Sequence, residues 1–193
     1  MRVLISGGCK NGKSAYAQDL AVSMRRPGAP LYYIATMIPA DNEDELRVAR
    51  HRDDREGLGF ETIEAGRDIL TAVQTCDKRG SYLLDSVTAL LANEMFLTDG
   101  SVDMSADKKL GVELTQLVSM VNDIVIISDF IYSDAFMFDD LTEAYRRGLA
   151  YLDMQLAAIC DVVLEACAGA FIAHKGSVPH PHDTRIWEGA LGL

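Results

Sequence analysis

Short apolar runs recur along the chain, with stretches of helical period between them. Residues 2–6, 31–36, 60–64, 82–85, 124–128 and 162–166 are mostly aliphatic or β-branched and do not alternate with polar positions. That pattern predicts strands buried on both faces, as in a parallel sheet. The clearest helical pattern spans 139–159, where Leu141, Tyr145, Leu149, Leu152 and Leu156 recur at spacings of three and four. Further helices are predicted over about 107–121 and about 87–96, and one begins near Lys13. Strand–helix alternation of this kind predicts an α/β fold with right-handed crossovers. A turn is expected at 28–30 and an exposed loop at 98–105. The pattern decays after Gly169, so the expected organisation is one folded domain over residues 1–170 and a tail over 171–193. His174, His180 and His182 fall in that tail, which reads as solvated chain rather than a metal site.

Composition narrows the partners. Of 193 residues, 49% are hydrophobic, enough for a sizeable core and too many for intrinsic disorder. The 29 acidic and 18 basic residues leave a formal charge of −11, which repels a nucleic-acid backbone but leaves room for a local phosphate site. Cys9, Cys76, Cys160 and Cys167 form no CxxC pair, so neither a zinc cage nor a disulfide framework is indicated. Free thiols, an opening that does not read as a signal peptide, and no apolar run near the roughly 20 residues of a membrane span together predict a cytoplasmic protein.

The strongest local signal is Gly7-Gly8-Cys9-Lys10-Asn11-Gly12-Lys13-Ser14, which satisfies G-x-x-x-x-G-K-[ST] between a predicted strand and a predicted helix. Glycines let the backbone wrap a phosphate with its N–H groups pointing inward, and the helix start adds its positive dipole end. Lys13 is expected to reach the β- and γ-phosphates of ATP or GTP, and Ser14 to hold Mg²⁺. Asp85, ending the apolar Tyr82-Leu83-Leu84 run, supplies a second magnesium partner. These features imply a nucleoside triphosphate, Mg²⁺ and phosphoryl transfer, with the acceptor open.

Residues 41–56 form a densely charged helix with a thin apolar stripe at Leu46, Val48 and Ala49. Asp41 can cap it, and Asp44 can reach back. His51 sits among Arg50, Arg52 and Arg55, cations able to hold phosphates in an otherwise acidic chain.

With these motifs in order, the chain resembles the bifunctional adenosylcobinamide kinase/adenosylcobinamide-phosphate guanylyltransferases of cobalamin biosynthesis. The family's GGxRSGKS loop is matched by residues 7–14, and its Y-I-A-T strand by Tyr33-Ile34-Ala35-Thr36. Its H-R-x-x-R segment, followed by T-x-E, is matched by His51-Arg52-Asp53-Asp54-Arg55 and Thr62-Ile63-Glu64. Its L-D, Thr and Asn are matched by Leu84-Asp85, Thr88 and Asn93. The resemblance implies a three-layer P-loop NTPase (RecA-like) fold with a mostly parallel central sheet, assembled as a homotrimer. It implies phosphorylation of adenosylcobinamide by ATP or GTP, then transfer of GMP from GTP through a covalent adduct on His51. Nucleotide contacts carry over onto Gly7, Gly8, Cys9, Lys10, Asn11, Gly12, Lys13, Ser14, Ala35, Thr36, Met37, Arg52, Asp53, Asp54, Arg55, Glu64 and Asp85. His51 and Lys13 are the implied catalytic residues, and Ser14 and Asp85 the implied magnesium ligands.

The second half departs from the family pattern. Where the family carries N-E-V-G-x-G-I-V-P after its fifth strand, this chain has residues 129–137, Asp-Phe-Ile-Tyr-Ser-Asp-Ala-Phe-Met; its R-V-N-Q becomes Tyr151-Leu152-Asp153-Met154. The loss of both glycines and the gain of Phe130, Tyr132 and Phe136 predict a narrowed acceptor pocket. Lys10 and Asn11 replace the loop's arginine and serine. Two other readings share the intact nucleotide half: a P-loop transferase acting on a different acceptor, and a nucleotide-binding paralogue without turnover.

Overall fold

The computed structural model describes residues 1–53, 55–133 and 135–179. In chain order the elements are β1 (Arg2–Gly7), α1 (Lys13–Met24), β2 (Leu31–Ala35), α2 (Asn42–Asp53), β3 (Glu61–Glu64), α3 (Ile69–Ala72), β4 (Ser81–Asp85), α4 (Val87–Met95), α5 (Ala106–Met120), β5 (Asp123–Asp129), α6 (Asp140–Ile159), β6 (Val162–Cys167) and β7 (Ala170–Lys175). The strands form one seven-stranded sheet in the order β3-β2-β4-β5-β1-β6-β7. Every pairing is parallel except β6 with β7.

Unalternating strands bury both faces, and the two faces feed separate cores. Val3, Ile5, Leu31, Tyr33, Leu83, Val125 and Ile127 point to one side and pack with Tyr16, Ala17 and Leu20 of α1. Their neighbours Leu4, Tyr32, Ile34, Tyr82, Leu84, Ile124 and Ile126 point to the other side, under Ile69, Leu90, Leu114 and Leu152 of α3 to α6. This is the expected three-layer α/β architecture. Leu84 is fully buried, and its truncation to alanine would cost about 2–5 kcal/mol.

Helix starts follow from local chemistry. Asp139 caps α6 by accepting from the N–H groups of Leu141 and Thr142, each at 3.0 Å. At α2, the Asp41 carboxylate accepts from Asp44 N–H at 2.9 Å, while the Asp44 carboxylate accepts from Ala40 N–H at 3.2 Å. The reach-back thus lands one residue earlier than a capping box would place it.

Two elements were not expected: the short helix α3 and strand β7. Ala168 and Gly169, with φ of 49° and 80°, make a two-residue hairpin turn that returns the chain along β6. Both positive φ angles suit a type I′ turn, but alanine is a rare choice for it, so the turn is invisible to residue preference. The expected domain boundary at residue 170 therefore falls inside this hairpin. His174 lies on β7 with its Nε2 2.7 Å from Glu165, and Tyr16 stacks on Phe171 with centroids 3.9 Å apart. His180 and His182 lie outside the described residues. Among the described residues no helix is long and apolar enough to cross a membrane.

Parallel pairing lines up strand ends. Gly7 is in register with Asp129 of β5 and Ala166 of β6, and Asp85 is in register with Ala35 of β2. The carboxyl ends of β1, β5, β4 and β2 thus share one edge, where ligands of open α/β sheets bind.

Candidate active site

That edge opens into a cleft of about 550 Å³, lined by Cys9 to Ala15, by the ends of β2, β4 and β5, and by α2. The loop after β1 owes its shape to three close contacts. A Cβ on Gly7 would sit 2.4 Å from the Ala166 carbonyl oxygen, so only glycine lets β1 run this near β6. Asn11 donates to the same carbonyl at 2.7 Å, while its side-chain oxygen accepts from Lys13 N–H at 3.2 Å. The residue that replaces the family's serine therefore pins the loop to β6. Gly12 turns the chain into α1 with φ of 84°.

Lys13 is only 6% exposed. Its Nζ donates to the Gly8 carbonyl at 2.9 Å and lies 2.6 Å from Asp129 Oδ1. Asp85 ends β4 in the buried floor of the cleft and accepts from the Tyr33 hydroxyl at 2.8 Å. Burial pushes the Asp85 carboxyl above the ordinary carboxylate range, opposed by the Tyr33 hydrogen bond, His51 and Lys13 and reinforced by Asp129. Burial, then the neighbouring Asp85, likewise pushes the Tyr33 phenol up. His51 reaches the same point from α2, with Nδ1 3.8 Å from Asp85 Oδ2.

The arginines divide. Arg55 is 7% exposed and lies over the Tyr33 ring, 3.7 Å from its centroid, with Nη2 3.3 Å from the Thr62 hydroxyl. Arg52 pairs with Glu64 at 3.0 Å; both are exposed, so the pair contributes little to stability.

Of the residues singled out from the sequence, Cys9, Lys10, Asn11, Gly12, Lys13, Ser14, Ala35, Met37, His51, Arg52, Arg55, Glu64 and Asp85 all line this cleft. Gly7 and Gly8 do not line it; Gly7 is in register with Asp129 and Ala166, and the Gly8 carbonyl accepts from Lys13 Nζ. Thr36 does not belong: it is fully buried, and its hydroxyl donates to the Ser86 carbonyl at 2.8 Å while accepting Ser86 N–H at 2.7 Å. Its role is to join the end of β2 to the start of α4. Asp53 does not line the cleft but borders a neighbouring depression with Glu56 and Phe60. Asp54 lies outside the described residues. Phe130, Tyr132 and Phe136, expected to narrow an acceptor pocket, do not line this nucleotide cleft. Phe130 and Phe136 face outward at 42% and 68% exposure, and Tyr132 donates its hydroxyl to Asp153 at 2.8 Å.

Glu43, Ser86 and Asp129, which the sequence motifs do not mark as ligand contacts, also line the cleft, as do Tyr33 of the Y-I-A-T strand and Arg50 beside His51. Asp129 had a readable signal, since it ends an apolar strand as Asp85 does.

Ser14 and Asp85 offer a hydroxyl and a buried carboxylate, the hard oxygen donors that magnesium takes when it shares its shell with phosphates. Among the described residues no group of three or more His, Cys, Asp or Glu forms an all-protein metal cage, and a phosphate-shared ion requires none.

A family model described as cobinamide kinase / cobinamide phosphate guanyltransferase matches residues 3–173. The chain is 26% identical over 176 residues to the bifunctional adenosylcobalamin biosynthesis protein CobP of Pseudomonas aeruginosa, covering 91% of this chain and 98% of that protein. It is 24% identical over 187 residues to the bifunctional adenosylcobalamin biosynthesis protein CobU of Salmonella typhimurium, covering 91% of this chain and 100% of that protein. Among solved structures, the KaiC-like protein PH0186 from Pyrococcus horikoshii OT3 aligns over 90% of this chain and 77% of its own, with a TM-score of 0.46 and 14% identity.

Proposed function

The chain belongs to the cobinamide kinase / cobinamide phosphate guanyltransferase family, and from that premise we propose that it performs both reactions in the one cleft described above. In the first, the aminopropanol hydroxyl of adenosylcobinamide takes the γ-phosphate of ATP or GTP. In the second, His51 attacks the α-phosphorus of GTP, the bond to the bridging oxygen breaks and pyrophosphate leaves. The phosphate of adenosylcobinamide phosphate then displaces His51, the P–N bond breaks, and adenosylcobinamide-GDP is formed.

The single observation that carries this reading is the meeting of His51, Asp85 and the phosphate loop, brought from α2, β4 and β1 to one cleft. Asp85, 3.8 Å from Nδ1, favours the tautomer with its proton there, which leaves the Nε2 lone pair for attack. Neutral imidazole is nucleophilic near physiological pH and leaves well when protonated. Arg52 and Arg55 would balance phosphate charge, and Lys13 would take the β- and γ-oxygens once a nucleotide enters. Ser14 and Asp85 would hold Mg²⁺, which when bound neutralises charge on the phosphate oxygens.

Incubation with α-labelled GTP and Mg²⁺ tests the assignment. Label should appear on His51, survive base, hydrolyse in acid and be absent from His51→Ala. Corrinoid-dependent release of both nucleoside diphosphate and pyrophosphate should accompany turnover. A protein that binds GTP yet never acquires label would exclude the guanylyl half.

A further inference from the structure

Asp129 occupies a place that Asp85 and His51 leave unfilled. It closes β5, the strand between β4 and β1, so it stands between the Asp85 strand and the phosphate loop. Two backbone contacts fix it. Its N–H donates to the Thr88 hydroxyl at 2.9 Å, and the next N–H, of Phe130, donates to the Gly7 carbonyl at 3.1 Å. The carboxylate lines the cleft at 22% side-chain exposure, with Oδ1 2.6 Å from Lys13 Nζ. The family pattern has asparagine at this position and glutamate after it; here the acid comes first, and Phe130 turns outward.

We propose that Asp129 accepts the proton of the phosphate-acceptor hydroxyl during γ-phosphoryl transfer. The proposal rests on the kinase reading above. Once Lys13 turns to the β- and γ-phosphates, the Asp129 carboxylate is left facing the transferring group without its cation. Carboxylate and phosphate repel, so a favourable neighbour on that side is a proton donor. An incoming hydroxyl is such a donor, as in other phosphoryl transfers where an aspartate accepts the substrate proton. The hydroxyl oxygen bonds to the γ-phosphorus, and the bond from that phosphorus to the bridging oxygen breaks. Nucleoside diphosphate departs with the electron pair, and the proton passes to Asp129 and then to water. Asp85 is occupied otherwise, accepting from Tyr33 and facing His51.

The test uses the full chain carrying Asp129→Asn or Asp129→Glu, with thermal melting to confirm folding. Two acceptors are compared: adenosylcobinamide, and water in the slow basal release of phosphate from GTP. Asp129→Asn should bind a non-hydrolysable GTP analogue at least as tightly as wild type, because Lys13 is freed. Its γ-phosphoryl transfer rate at saturating nucleotide should fall by about 100-fold or more with both acceptors, and Asp129→Glu should recover part of that loss. A wild-type rate in Asp129→Asn overturns the proposal. So does a parallel loss of affinity and rate, or a rate restored by raising Mg²⁺, which would make Asp129 a structural support or a metal ligand. If wild type phosphorylates no corrinoid, the kinase reading fails, and the water reaction still decides the role of Asp129.

Discussion

The Tyr33 hydroxyl donates to Asp85 at 2.8 Å while the face of the same ring carries Arg55 at 3.7 Å, so one side chain holds both an anion and a cation of the cleft. Neither ion could be so deeply buried without such a partner. Tyr33→Phe should keep the Arg55 stack but leave the Asp85 carboxylate without its donor, costing about 1–3 kcal/mol of stability. Tyr33→Leu should lose a further 0.5–2 kcal/mol or about that, from the cation–π contact. Urea denaturation of the two variants checks the order; equal stabilities would show that the stack contributes nothing.

Gly7 is where β1, β5 and β6 come together. An added methyl would meet the Ala166 carbonyl, a backbone atom that cannot swing aside. Gly7→Ala should therefore destabilise the fold by about 1–3 kcal/mol and lower nucleotide affinity by moving the loop. Gly8→Ala is the control, because nothing lies within 4 Å of its added Cβ. Thermal melts should separate the pair by several degrees.

Asp153 is 6% exposed behind the phosphate loop, accepting from Tyr132 at 2.8 Å, with its Oδ1 buried and lacking a hydrogen-bond partner. Burial pushes its carboxyl above the ordinary range, opposed by the neighbouring Ser128 hydroxyl and by the hydrogen bonds from Tyr132 and Ser6. Folded protein therefore keeps this proton more firmly than unfolded chain. The associated stability is fully present below the unfolded carboxylate range and is lost as pH rises through the folded value. Asp153→Asn should match wild type in acid and exceed it by about 1–2 kcal/mol at neutral pH. Denaturation midpoints across pH 4 to pH 8, bounds of about the ordinary carboxylate-to-neutral range, would test this; a constant offset would rule it out.

Phe136 and Met137 are 68% and 81% exposed at the outer rim of the segment after β5. Since neither lines the cleft, Phe136→Ser with Met137→Ser should leave GTP affinity within about twofold. Surface changes of this kind shift stability by only about 0.5 kcal/mol. Should the double variant lose nucleotide affinity, the segment folds over the cleft during binding. Calorimetric titration of adenosylcobinamide alongside would show whether these side chains contact the acceptor.

Much of this protein follows from short stretches of chain. The unalternating apolar runs dictate strands covered on both faces, because such a run has no polar side to show to water. The phosphate loop is legible for a similar reason: glycine spacing sets the local backbone, and strand and helix follow directly on either side. His51 could be singled out because its arginines stand on the same helix and turn. Other features depend on contacts between residues far apart in sequence. Thr36 sits in a nucleotide motif but faces inward, because the end of β2 must be joined to Ser86. Phe130 and Phe136 after β5 turn outward, whereas Tyr132 turns inward to Asp153 on α6. Strand β7 depends on a turn whose first residue, Ala168, holds a positive φ that alanine rarely adopts. Asp129 ends a strand like many surface acids, and its meaning comes from Lys13, which parallel pairing of β5 with β1 sets beside it. Local backbone chemistry is written in adjacent residues, whereas the partners of a buried charge are chosen only when the sheet is assembled.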